Sequence, residues 1–174
     1  MKRFLTPMLG LAFFGPIMAS AAIDETIRVK ETIEINAPAD KVWAKAGNFG
    51  DMSWHPAVTK TEITSGNASE AGATRVLVLP DGGKINEVLT SRDDGSMTMK
   101  YDITESVLPL REYSATLLVQ PAGEGKSTVT WRSMFKRKDP ANPPQAGQDD
   151  QTAKDTILNI FKTGLENLKK VSEQ

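Results

Sequence analysis

The chain has 174 residues, with 21 basic and 22 acidic side chains, one histidine and no cysteine. That length suits a single domain with a sizeable core. The composition excludes disulfides, thiolate metal sites and histidine-cluster metal sites, and the near-neutral charge argues against a nucleic-acid partner, which needs a basic surface.

Lys2 and Arg3 open the chain, Phe4 to Met18 carry no charge, and Ala19-Ser20-Ala21 places small residues where a signal peptidase cuts. This pattern predicts a secretory signal peptide over residues 1–21, cleaved after Ala21 or Ala22. A membrane anchor is the alternative, since a span needs about 20 apolar residues. Pro7, Gly10, Gly15 and Pro16 within the run, and the switch to Asp24-Glu25 after it, favour cleavage. The mature domain, 22–174, is then expected in the periplasm with no membrane span. Lys2 and Arg3 leave with the signal, so it carries 19 basic against 22 acidic side chains, a net charge of −3.

From Thr26 to Ile35, Ile27, Val29, Ile33 and Ile35 alternate with Arg28, Lys30, Thr32 and Glu34, which predicts a half-buried strand. Glu31 is the polar exception on the apolar face. Asn36-Ala37-Pro38-Ala39-Asp40 stops the strand and starts a helix, with proline in the first turn and Asp40 near the positive end of the dipole. Val42, Trp43 and Ala46 form its apolar stripe, and Phe49 to Pro56 reads as a second short helix or turn.

Strands follow over Val58–Thr64, Thr74–Leu79, Lys84–Ser91, Met97–Ile103, Tyr113–Val119 and Ser127–Phe135. Pro80-Asp81-Gly82-Gly83 is a strong hairpin signal. Seven strands with mostly short connections imply an antiparallel meander. Lys138 to Asp150 is polar and proline-rich, hence a loop. Beyond it Ala153, Ile157, Ile160, Phe161, Gly164, Leu165, Leu168 and Val171 recur every three or four residues, the pattern of one amphipathic helix. Sheet and helix each have an apolar face, and packing them together buries both. The fold class is therefore α+β.

Few groups carry chemistry. Trp54-His55-Pro56 reads either as a structural corner, with the histidine capping a backbone group, or as a ligand contact. On Lys84 to Ser91, Glu87 shares a face with Ile85 and Leu89, and it points inward if that is the core face. A buried carboxylate must be paired, hydrated or protonated. Arg75, on the face of Leu77 and Leu79, is its expected partner. The pair is structural, a polar anchor in a cavity, or part of a proton-transfer site. Tyr101, Tyr113 and Trp131 are candidates to line the same interior, although strand aromatics are commonly core. Lys136-Arg137-Lys138 is a solvated strand end or a docking patch for an acidic partner. No metal site and no cofactor is expected.

The ordered set of the Ala-Pro-Ala-Asp-Lys-Val-Trp helix, Trp54-His55-Pro56, Gly82-Gly83, Glu87, Tyr101, Leu108-Pro109, Tyr113 and Gly164-Leu165-Glu166-Asn167-Leu168 resembles the START and birch-allergen superfamily, also called SRPBCC or polyketide-cyclase-like. The resemblance covers Thr26 to Val171. It implies a helix-grip fold, a curved seven-stranded antiparallel sheet around the C-terminal helix, with two short helices after the first strand. Together with the signal segment, the chain is similar to the MxaD subfamily of periplasmic methanol-oxidation accessory proteins. That similarity implies a non-enzymatic role, assisting electron transfer between methanol dehydrogenase and its cytochrome c acceptor. A carrier of a hydrophobic small molecule is the second reading, and a cyclase- or dehydratase-like enzyme using Glu87, His55 or Tyr101 the third.

Overall fold

Alternation along the first strand carries over directly into burial. In the computed structural model, which describes residues 24–174, β1 (Ile27–Ile35) buries Val29 and Ile35 and exposes Arg28, Lys30, Thr32 and Glu34. The expected signal segment, 1–21, lies outside the described residues. Glu31 does take the inner side, but at the open edge of the sheet, half-buried in a groove beside Lys162 and Glu166. Helix α1 (Ala39–Ala46) follows, with Pro38 at its N-cap and Asp40 in its first turn, and buries Ala39, Val42, Trp43 and Ala46. Trp43 Nε1 donates to Asp94 Oδ1 at 2.8 Å, fastening the helix to the far end of the sheet.

The second short helix does not form. Residues 49–58 run through hydrogen-bonded turns, with His55 N donating to Met52 O and Val58 N to His55 O. Local polar groups take the place of a helical ladder. Asp51 Oδ1 accepts from Ser53 N, and Asn48 Oδ1 accepts from Gly50 N. Pro56 has no N–H to continue a helix.

Six strands then form a meander: β2 (Lys60–Ser65), β3 (Thr74–Val78), β4 (Lys84–Asp93), β5 (Thr98–Ser106), β6 (Leu110–Pro121) and β7 (Ser127–Arg137). The sheet order is β1-β7-β6-β5-β4-β3-β2, with every pair antiparallel. Gly82, at φ 84°, makes the β3–β4 turn, where Leu79 N donates to Gly83 O. Register shifts interrupt β4–β5 on both sides of Glu87–Leu89, and another interrupts β6–β7 between Arg111 and Ser114. Such bulges bend a strand and increase its twist, which lets one sheet curl around a helix.

Helix α2 (Asp150–Ser172) fills the concave side. The side chain of its N-cap, Asp149, accepts from Thr152 N at 2.8 Å. Its buried face comprises Ala153, Ile157, Phe161, Gly164, Leu165, Leu168 and Ser172. Phe161 stacks on Trp131 of β7 with ring centroids 4.2 Å apart, at the centre of the grip.

Candidate functional site

The pleat brings Arg75 and Glu87 together. They are direct cross-strand partners on β3 and β4, and both face the helix. Arg75 Nε donates to Glu87 Oε2 at 2.6 Å, Nη1 donates to Phe49 O at 2.8 Å, and Nη2 lies 3.6 Å from Met52 Sδ. Its guanidinium also stands over the Phe49 ring at 4.2 Å and the Tyr101 ring at 5.5 Å. Each guanidinium nitrogen of Arg75 thus has a partner.

Glu87 is engaged on one side only. Its Oε2 takes the arginine, while Oε1 has no hydrogen-bond partner among the described residues. The residue is 4% exposed, and it forms part of the wall of a cavity between sheet and helix. Burial holds its carboxyl above the usual carboxylate range, outweighing the opposing pull of Arg75. Burial, followed by the charge of Glu87, also raises the Tyr101 phenol. Trp131 Nε1 donates to Tyr101 OH at 2.9 Å, which fixes both rings.

The cavity holds about 160 Å³ between β3–β7, the 52–58 turns and α2. Of the residues singled out in the sequence, His55, Glu87, Tyr101, Tyr113 and Trp131 line it. Arg75 stands one layer behind, bonded to Glu87. Trp54 is buried outside the cavity, 5.6 Å from Trp131, and its Nε1 has no partner among the described residues. The rest of the lining is apolar, including Leu77, Leu79, Ile85, Leu108, Ile157 and Ile160. Those positions read as ordinary core from the sequence. Parity on β3 and β4 identifies Leu77, Leu79 and Ile85 as inward, but only the assembled volumes reveal a void beside them.

His55 has both ring nitrogens tied to backbone. Nε2 donates to Ile160 O at 2.9 Å, and Nδ1 accepts from Ala57 N at 3.1 Å. A carbonyl can only accept, so the ring is the neutral Nε2–H tautomer. Burial lowers its proton affinity to match. The ring clips the 52–58 turns onto α2. Gly164 makes room for it: a Cβ there would lie 2.4 Å from His55 Cδ2 and 2.7 Å from Nε2. Alanine ordinarily favours a helix interior by about 1 kcal/mol over glycine. Here Gly164→Ala is expected to destabilise by roughly 1–3 kcal/mol through overpacking, read from the urea midpoint. A stabilised variant would mean that His55 is not held as described.

The basic run at the end of β7 is not an open patch. Arg137 is 9% exposed; it donates to Asp150 Oδ2 at 3.0 Å and to the Asp139 and Ala141 carbonyls, pinning the proline-rich loop to the start of α2. Lys136 pairs with Asp24 at 3.1 Å and Glu112 at 2.9 Å. Lys138 is exposed and reaches Ser106 O. No group of three or more potential metal ligands occurs among the described residues.

A curved seven-stranded sheet gripping a long helix, with an apolar cavity between them, defines a helix-grip protein. The chain belongs to the polyketide cyclase/dehydrase and lipid transport family, whose match spans residues 26–173. Similar solved structures include an uncharacterized protein from Bacillus thuringiensis (25% identity, 85% of this chain and 100% of that one, TM-score 0.73). The protein XoxI from Bacillus cereus is also similar (25% identity, 83% and 94%, TM-score 0.72). Ara h 8.0201, at 17% identity over 85% and 98% and a TM-score of 0.66, shares the fold. No curated protein matches the chain.

Proposed function

We propose that the mature, exported protein binds a small apolar molecule in the helix-grip cavity. The observation that carries this reading is a pocket of about 160 Å³ between sheet and helix, with an almost wholly apolar wall and one carboxylate oxygen left without a partner among the described residues. Ligand pockets are concave and mostly apolar, and a polar group at the edge gives a bound molecule an orientation. Catalysis is less favoured. Both nitrogens of His55 are tied to backbone, which leaves Glu87 without a free histidine as a proton-transfer partner. Calorimetric titration of the purified protein with benzene-sized apolar molecules tests the reading; saturable one-to-one binding is expected.

A second reading has support of a different kind. The MxaD-type resemblance suggests a periplasmic accessory of methanol oxidation that assists electron transfer from methanol dehydrogenase to its cytochrome c acceptor. On the convex face, Lys30, Arg132, Thr116 and Lys100 form one cross-strand row over β1, β7, β6 and β5. The three cations are exposed and have no ion-pair partner among the described residues, and Arg28 stands beside them on β1. This row suits an acidic partner better than Lys136 and Arg137 do. Cytochrome reduction by the dehydrogenase is then expected to quicken when the protein is added at low salt. The gain should fade as ionic strength rises and screening tightens to about 10 Å at 0.1 M. A rate that stays flat at every salt concentration contradicts this role.

A further inference from the structure

The cavity is small for its family's description. Drug-sized ligands occupy pockets of about 300–1,000 Å³, whereas an engineered cavity of about 150 Å³ in another protein takes up benzene. At about 160 Å³, this one is too small to bury the whole of a long acyl chain or a fused polycycle. A single ring with one or two substituents is the right size. Tyr101, Tyr113 and Trp131 supply aromatic surface on one side, and Leu77, Leu108 and Ile157 aliphatic surface elsewhere.

The polar edge narrows the class further. A ligand carboxylate would meet Glu87 and find no cation, because Arg75 is outside the lining and its donors already face Glu87, Phe49 O and Met52 Sδ. An ammonium group suits only the ionised Glu87, and a ketone only the protonated one. A hydroxyl both donates and accepts, so it satisfies Oε1 in either state. We infer that the cavity takes a compact, neutral cyclic alcohol or phenol whose single hydroxyl bonds Glu87 Oε1. This rests on the cavity-binding reading above and adds its polar anchor.

The test is a titration series on the wild-type protein with phenol, benzene, benzoate and a long-chain fatty alcohol. Phenol is expected to bind roughly tenfold or more tightly than benzene, the scale of one buried hydrogen bond to a charged or strongly polar group. Benzoate is expected not to bind. Because either single substitution risks unfolding, the companion variant is Arg75→Met/Glu87→Leu, in which the phenol-to-benzene preference should fall to about one. Equal binding of phenol and benzene by the wild type, or tighter binding of benzoate, overturns the anchor and leaves the cavity reading intact. Uptake of the fatty alcohol without uptake of either ring overturns the size argument alone. If none of the four binds, the cavity reading falls as well.

Discussion

Replacing Arg75 with methionine while Glu87 remains is expected to cost about 3–5 kcal/mol, a large part of the roughly 5–15 kcal/mol that holds a domain of this size together. The carboxylate would stay buried with its counter-charge and its hydrogen bond removed. Glu87→Leu strands the guanidinium in the same way and should cost a similar amount. The double variant Arg75→Met/Glu87→Leu should lose far less than the sum, because two apolar side chains of matching volume replace a pair whose desolvation cost is high. Urea unfolding of the four proteins gives the coupling directly. Small, additive losses would mean that water reaches both groups, contradicting their burial at 2% and 4% exposure.

The same cycle has a pH signature. Glu87 is held above its ordinary value in the folded protein, so the folded state binds its proton more tightly than the unfolded chain does. Stability from this group is fully present below the ordinary glutamate range and is lost as pH rises through the elevated value. Removing Arg75 takes away both influences that pull the value down, so the loss deepens and extends to higher pH. The deficit of Arg75→Met is therefore expected to shrink on acidification. The double variant, with no carboxyl at 87, lacks this contribution.

Much of this arrangement was legible from parity alone. Alternation on Thr74–Leu79 and Lys84–Ser91 placed Arg75 and Glu87 on inward faces, and the Asp81-Gly82-Gly83 turn set them opposite each other. The three-and-four spacing from Ala153 located α2, since a helix against a curved sheet must bury one stripe. Parity was equally available on β7, where Val129, Trp131, Ser133, Phe135 and Arg137 share a side. Read that way, Arg137 belongs to the interior. The flanking Lys136 and Lys138 disguise this alternation as a continuous basic run.

What the sequence withheld depends on distant partners. Lys136 is neutralised by Asp24 and Glu112, and no local pattern links the three. The Lys30, Arg132 and Lys100 row exists only once three registers are fixed. His55 bonds a carbonyl 105 positions further along the chain. The failed second helix is a local case: Asn48, Asp51 and Pro56 each favour turns, and together they prevail over the apolar content of Phe49, Met52 and Trp54. The void itself is the difference between the space enclosed by five strands, the 52–58 turns and a helix, and the side chains that fill it.

That void decides the account, and filling it is the direct test. Ile157 projects into the cavity from α2 and is 1% exposed. Phenylalanine there adds volume where space already exists, so Ile157→Phe should unfold at or above the wild-type midpoint, since cavity-filling substitutions commonly stabilise. Calorimetric titration of the wild type with benzene should give saturable one-to-one binding, with a Kd between about 1 µM and 1 mM for so few atoms. Under the same conditions the folded Ile157→Phe protein should give no saturable heat. Equal binding of benzene by both proteins, or no uptake of benzene, phenol or the fatty alcohol by the wild type, contradicts a ligand site between helix and sheet.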